Sequence, residues 1–353
     1  MMRGRGDRLE AALAERELDR MLVTDLTNVR YLSGFTGTNG ACICGPGVRV
    51  FLTDFRYTER AAAEVEGWEP VTVEGDWLAA IAERLTGRVG IEDDHMAVRS
   101  LVKLEQKLGE GVEAVSAGGA VENLRRVKDA EELVAIEAAS KIADEVWQWS
   151  VERGLAGRSE REVARAAEAR IRELGGDPSF PAIVAAGPNG ALPHAEPGER
   201  EIGRGELVVF DMGAQLDGYC SDGTRTYATG EPGAEARAVY ATVLEAQLAS
   251  LEAVKAGAKS EDVDAVARRV IDEAGHKEHF GHGLGHGVGL EVHEGPRLSP
   301  RSDDLLAAGE VVTVEPGIYL PGKLGVRIED FVVVTEDGYR NLSTLPKDLT
   351  LVD

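Results

Sequence analysis

Short apolar runs alternate with helically spaced segments over the first part of the chain. Residues 21–24 form one such run, and residues 41–44 and 48–53 flank Gly45-Pro46-Gly47, a turn sequence that predicts a hairpin. Residues 89–91 predict a further strand and residues 96–108 a helix. The mixture predicts a small α/β domain over residues 1–120. Its boundary is placed at Ser116-Ala117-Gly118-Gly119-Ala120, where every side chain is small and the composition is that of a linker.

A second domain, residues 121–353, opens with a long helix. Asp129 can cap it, and Glu132 completes a capping box. Leu133, Ile136, Ile142, Val146 and Trp149 then recur at roughly helical spacing. Beyond residue 155 the pattern repeats at an offset of 100 positions. Ala156-Gly157 meets Ala256-Gly257, Val163, Ala167 and Ile171 meet Val263, Ala267 and Ile271, and Glu173, Gly175 and Phe180 meet Glu273, Gly275 and Phe280. Each copy leads from a helix through a histidine-bearing loop to a β-hairpin with two acids. Two pseudo-symmetric halves are therefore expected.

In the first hairpin, residues 206–227, the run Leu207-Val208-Val209-Phe210 leads to Asp211, and the return carries Asp222. A turn centred between Leu216 and Asp217 puts the two acids directly opposite, where like charges ~5 Å apart repel. Such a pair at the end of an apolar strand calls for a cation between them. The second hairpin runs Val311-Val312-Thr313-Val314 into Glu315-Pro316-Gly317 and returns with Glu329 and Asp330. Side chains alternate along a strand, so one of that last pair faces inward. Between the hairpins, residues 276–294 hold His276, His279, His282, His286 and His293, interleaved with glycines that leave the backbone free to approach a ligand.

Acids on hairpins are commonly solvated, and glycine-rich histidine loops bind metals adventitiously. Three such elements converging on one ligand set favour chemistry over the plainer reading. Glu92-Asp93-Asp94-His95 is assigned a structural role ahead of a helix, and Cys220 that of a small packed thiol. No dinucleotide fingerprint, zinc-binding His-Glu-x-x-His helix, nucleophile elbow or phosphate loop occurs.

Composition narrows the function classes. The 353 residues are 43% apolar and 29% charged, enough for two folded domains and against disorder. Acids outnumber bases 62 to 39, and the formal charge of −23 disfavours nucleic acid and anionic membranes as partners. Three cysteines make no disulfide framework and suit a reducing compartment. The N-terminal residues are interrupted by charges, and no run approaches the ~20 apolar residues of a spanning helix. A cytoplasmic location is expected.

Five blocks stand in order: Asp211-Met-Gly, Cys220-Ser-Asp222-Gly-Thr-Arg-Thr226, Gly285-His286-Gly-Val-Gly-Leu-Glu-Val-His293-Glu, Thr313-Val-Glu315-Pro-Gly317 and Val326-Arg-Ile-Glu329-Asp330. They resemble the signature of the proline-specific metallopeptidases of the pita-bread fold, aminopeptidase P and prolidase. Asn28-Val-Arg-Tyr31-Leu-Ser-Gly-Phe-Thr-Gly37 is similar to the creatinase-type N-terminal domain of the same group. The resemblance implies an α/β N-terminal domain followed by an α+β pita-bread catalytic domain with pseudo-twofold halves.

It further implies five metal ligands, Asp211, Asp222, His286, Glu315 and Glu329. Asp222 and Glu329 would bridge two divalent ions; Mn²⁺ suits an oxygen-rich set, with Co²⁺, Fe²⁺ or Zn²⁺ as alternatives. Glu315 would also shuttle a proton. His194, His282 and His293 match substrate-site histidines, with His293 the candidate for stabilising the oxyanion. Arg327 would orient acids or substrate, and Arg297 would grip a substrate carboxylate. The implied activity is hydrolysis of Xaa-Pro bonds at peptide N-termini by a homodimer. Gly34-Phe-Thr-Gly37 inclines the reading to aminopeptidase P, with the Xaa-Pro dipeptidase as the alternative. A creatinase-like amidinohydrolase or a binding-only pita-bread module would be expected to have lost ligands.

Overall fold

The fold is described from a computed structural model, for residues 3–352. The chain divides into two compact units, Met1–Arg125 and Arg126–Asp353. The first contains a six-stranded mixed sheet: β1 (Arg20–Val23), β2 (Gly40–Gly45), β3 (Val48–Thr53), β4 (Glu69–Thr72), β5 (Arg88–Ile91) and β6 (Glu113–Ser116), in the order β4-β3-β2-β1-β5-β6. The β2–β3 hairpin closes on Pro46-Gly47, with Gly47 at φ 67°. The exposed segments β4 and β6 lack an apolar run and leave no mark in the hydrophobic pattern.

The small-residue stretch at 116–120 is a turn rather than an interdomain linker. Gly118 and Gly119 both take positive φ and feed the helix Ala120–Arg126. Arg125 on that helix donates to Asn28 Oδ1 at 2.9 Å, tying it to the first unit. The unit boundary therefore falls after Arg125, five residues beyond the boundary expected at 120. Glu92 is structural, but it serves a different helix from the one that follows it. Its carboxylate accepts from Thr24 N, Asp25 N and Asn28 Nδ2 at 2.6–2.9 Å, fixing the start of Leu26–Ser33.

The second unit opens with the Ala130–Glu152 helix, whose Asp129–Glu132 capping box is formed. Its buried face runs through Ile136, Ala139, Ala143, Val146 and Trp147. Trp149, expected on that face, lies outside it with Arg153 stacked on its ring at 4.7 Å. Two helices, Glu160–Glu173 and Ser260–Glu273, have equal length and stand 100 positions apart. Val163, Ala167 and Ile171 are buried in one half's core, and Val263, Ala267 and Ile271 in the other's. In both copies a positive-φ glycine, Gly175 or Gly275, ends the helix.

Each half centres on an antiparallel sheet. The first is Thr224–Ala228, Leu207–Asp211 and Ile183–Ala186 in that order; the second is Glu294–Leu298, Gly285–Gly287, Val311–Val314, Asp330–Val334 and Tyr339–Asn341. The first hairpin turns on Asp217-Gly218, both at positive φ, as a two-residue mirror-image turn requires. That register puts Thr224, not Asp222, opposite Asp211. The expected pairing is thus displaced by two residues, because the turn lies one position later than assumed. A shift of two leaves side-chain facing unchanged.

Asp330 and Glu329 diverge as strand alternation demands. Asp330 is fully buried and accepts from Arg225 at 2.7 Å, Lys347 at 2.8 Å, Asn341 at 2.7 Å and Gln247 at 3.2 Å. Burial opposes its charge, yet Arg225 and Lys347 hold its carboxyl below the ordinary range. Replacing it with Asn leaves Arg225 buried without its partner, and about 3–5 kcal/mol of stability is expected to go in urea denaturation at neutral pH. A folded pKa below the unfolded value of about 3.9 means that the carboxylate stabilises fully above that value. The gap between wild type and Asp330→Asn should therefore narrow as the pH falls through this range.

Candidate metal centre

Interruptions in the hairpins build the site. In the second hairpin, the ladder Val311–Val314 with Asp330–Val334 and the ladder Gly317–Leu320 with Leu324–Arg327 share one register. Between them the register sets Glu315 opposite Glu329, but neither residue pairs there. Pro316 has no N–H to donate, and the amides of the two acids turn to other elements. Glu315 N–H donates to Leu284 O on the histidine loop at 2.9 Å, and Glu329 N–H to Thr224 O on the first hairpin at 3.0 Å. Three segments distant in sequence thereby meet at one point.

Two glycines permit that approach. A Cβ on Gly285 would collide with Thr313 O, and one on Gly213 with Ser221 O. Gly285, beside His286, thus admits neighbouring backbone, where the sequence suggested room for a ligand.

The resulting cavity, about 540 Å³, is lined by Asp211, Asp222, His286, Glu315 and Glu329 together with His194, His282, His293, Arg297 and Arg327. All ten residues named from the sequence face this one space. Asp222, His286 and Glu329 each offer a ligand atom within 4.8 Å of the others. His286 Nε2 lies 3.5 Å from Asp222 Oδ2 and 3.3 Å from Glu315 Oε1. Its Nδ1 is 3.0 Å from Gly287 O, a partner that fixes the tautomer and turns Nε2 to the acids. His276 and His279 pack against each other outside the cavity, 5.6 Å between ring centres. Cys220 is buried against Leu290 O, and burial pushes its thiol up to about 11.

Several supporting residues escaped the sequence reading. Arg327 donates to Asp211 Oδ2, to Thr224 Oγ1 at 3.0 Å, to Tyr319 OH at 3.0 Å and to Pro193 O at 3.1 Å. Thr224 Oγ1 in turn donates to Glu329 Oε2 at 2.7 Å. Thr313 Oγ1 links His286 N, at 3.0 Å, with Glu315 Oε1, at 3.2 Å. The detectable signal for Tyr319 was period two, since it follows Glu315 and Gly317 on one strand face.

The electrostatics are those of a centre short of positive charge. Burial raises Asp211 despite Arg327, and burial with the neighbouring acids raises Asp222 and Glu329 well above the carboxylate range. Burial works against a proton on His286, yet Glu315 and Asp222 lift it to about 9. Burial likewise opposes charge on Glu315, and His286 brings it down to about 2. Asp211 Oδ1 is buried with no hydrogen-bond partner among the described residues. An orphaned carboxylate oxygen beside oxygen-rich donors and one imidazole nitrogen turned to the acids fits divalent cations.

Comparison with known proteins follows the same lines. The model of metallopeptidase family M24 matches residues 134–336, and that of the creatinase/prolidase N-terminal domain matches residues 5–127. An Xaa-Pro dipeptidase of Pyrococcus furiosus is 37% identical over 353 residues, covering 99% of this chain and 100% of its own. The solved structure of an Xaa-Pro dipeptidase from Bacillus anthracis has a TM-score of 0.96 at 38% identity and full coverage of both chains. An X-Pro aminopeptidase structure from Thermotoga maritima has a TM-score of 0.89 at 36% identity, covering 96% and 99%. No helix among the described residues is long and apolar enough to cross a membrane.

Loading Mn²⁺ onto metal-stripped protein should release protons, because the imidazole of His286 has to shed its own before Nε2 can bind an ion. Affinity should accordingly climb as the pH rises toward about 9. Calorimetry in buffers of different ionisation enthalpy reads the release directly; a pH-independent affinity without it would remove His286 from the ion's shell.

Proposed function

Because the chain belongs to metallopeptidase family M24, with a creatinase/prolidase N-terminal domain ahead of the peptidase domain, we propose that it is an Xaa-Pro dipeptidase using two divalent ions. The observation that carries the reading is the set of four carboxylates and one imidazole on the wall of a single cavity. Dipeptidase replaces the aminopeptidase P expected from the sequence. Full-length similarity to proteins named Xaa-Pro dipeptidase supports the exchange. The cue for aminopeptidase P also has a structural use: Gly34 caps a helix at φ 80°, and Phe35 packs on Phe51 and Tyr57.

Asp222 and Glu329 would bridge the ions, with His286 and Glu315 completing one shell and Asp211 the other. Mn²⁺ is the favoured ion for hard oxygen donors, with Co²⁺, Fe²⁺ or Zn²⁺ as alternatives. When bound, the pair supplies a water of lowered pKa and polarises the scissile carbonyl. Arg327 holds Asp211 by Oδ2 and leaves Oδ1 without a hydrogen-bond partner among the described residues. Glu315 carries a proton from the attacking water to the leaving imino nitrogen, which has no N–H of its own in an Xaa-Pro bond. His293, its ring centre 4.4 Å from that of His286, would donate to the developing oxyanion. His194 and His282 flank the substrate, and exposed Arg297 meets its terminal carboxylate.

Hydrolysis of Ala-Pro beside Ala-Pro-Ala, after chelation and again with Mn²⁺ restored, tests the reading. Metal-dependent cleavage confined to the dipeptide is expected. Cleavage of the tripeptide would reinstate aminopeptidase P, and cleavage of neither with metal bound would remove proline specificity. Asp222→Asn and Glu329→Gln should each abolish turnover while circular dichroism stays that of wild type. Wild-type activity in either would sink the two-ion assignment.

A further inference from the structure

The helix Ser260–Glu273 carries Asp264 and Arg268 one turn apart, and both act on the loop that bears His282. Arg268 Nη1 donates to Phe280 O at 3.2 Å and Nη2 to His282 O at 2.6 Å. The same guanidinium grips Asp264 through two contacts, Nε to Oδ2 at 2.5 Å and Nη2 to Oδ1 at 3.0 Å. It also lies 4.6 Å from the centre of the Phe280 ring. Asp264, 1% exposed, accepts from Leu284 N at 3.0 Å. One ion pair thus fixes the backbone of residues 280–284 at three points.

His282 stands in the middle of the fixed segment. Its ring meets Phe280 edge-on at 5.0 Å, with Nδ1 2.8 Å from Gly283 O and Nε2 2.9 Å from Tyr319 OH. The imidazole lines the cavity, whereas Asp264 and Arg268 stand behind it. An Asp–Arg pair one turn apart on a helix surface ordinarily leaves the spare guanidinium N–H groups to water. Here they are directed at two carbonyls of a single loop.

The other half shows that the grip belongs to the fold. Glu168 occupies the position 100 residues before Arg268, and its carboxylate accepts from Ala182 N at 3.1 Å. Ala182 is the counterpart of His282. The same helix position therefore holds the same loop position twice, with an acceptor on N–H in one half and a donor on C=O in the other. Only the second half places an imidazole there.

We propose that the Asp264–Arg268 pair is a positioning device for His282, setting where the imidazole stands over the substrate without itself touching substrate. The proposal rests on the Xaa-Pro peptidase reading for its kinetic consequence and on the loop geometry alone for its structural one.

The test compares metal-loaded wild type, Arg268→Met, His282→Ala and the double variant, by steady-state kinetics on Ala-Pro and by hydrogen exchange of residues 280–285. Arg268→Met should lower kcat/KM by roughly 100-fold, the scale of an ångström-level misplacement. It should divide that loss between kcat and KM as His282→Ala does. In the double variant the loss should be no greater than in His282→Ala. Protection should fall in residues 280–285, with the Ser260–Glu273 helix still protected. Losses that multiply in the double variant, or unchanged protection of residues 280–285, would overturn the proposal. Should wild type cleave no Xaa-Pro peptide, the functional reading fails, and the exchange experiment decides the clamp: protection lost only at 280–285 upholds it, and unchanged protection overturns it.

Discussion

Four carboxylates around one cavity, Asp211, Asp222 and Glu329 buried and Glu315 partly so, cannot all be charged without positive charge among them. Two like charges 4 Å apart repel by about 4 kcal/mol even at an effective dielectric of 20. The protein supplies Arg327 against Asp211 and the His286 imidazole against Glu315 and Asp222. Burial, and then the charge those two do not neutralise, raises the carboxyls of Asp222 and Glu329, and one oxygen of Asp211 is unpartnered among the described residues. Much nearby backbone geometry is arranged around this crowding. The broken ladder at Glu315 and Glu329, the glycine beside His286 and the threonine hydroxyls at 224 and 313 all hold charged groups where a folded chain would otherwise avoid them.

Two different mechanisms carry the two sides of the cavity. On one side the candidate ligands are held firmly: the amides of Glu315 and Glu329 bond to Leu284 O on the histidine loop and to Thr224 O on the first hairpin, and the carboxylates of Glu329, Glu315 and Asp211 bond to Thr224, Thr313 and Arg327. On the other, His194, His293 and Arg297 are exposed and stand on loops or a sheet edge. On the proposed reading, rigid charge beside accessible polar groups is the division of labour expected of a centre that keeps its cation and exchanges its substrate. His282 lies between these regimes, on a loop but gripped from behind.

The fold was legible where apolar periodicity is strong. The repeat at 100 residues emerged from Val163, Ala167, Ile171 and their counterparts because buried helical faces tolerate few substitutions of pattern. The five candidate ligands were legible as family blocks; strand alternation showed only that one of Glu329 and Asp330 faces inward, and the resemblance named Glu329. Register was less accessible: the position of the Asp217-Gly218 turn depends on two left-handed residues, a property that neighbouring hydrophobicity does not encode. Trp149 and Trp147 differ only by a rotation of the helix that tertiary packing decides. The edge strands Glu69–Thr72 and Glu113–Ser116 are mostly exposed, so no burial pattern marks them. Arg268 was invisible for another reason, since an i,i+4 partner on the same helix explains it until the loop it faces is known.

The amide bonds from Glu315 to Leu284 and from Glu329 to Thr224 have a consequence for biosynthesis. A ribosome-bound chain that has completed the first half already owns Asp211 and Asp222, but none of the other three donors. On the proposed five-donor assignment, hydrolytic capacity cannot precede the joining of the halves and arrives only after residue 329 has been made and folded into place. On that assignment partly synthesised chains are chemically silent, a safeguard for any cell that makes a peptidase among its own nascent peptides.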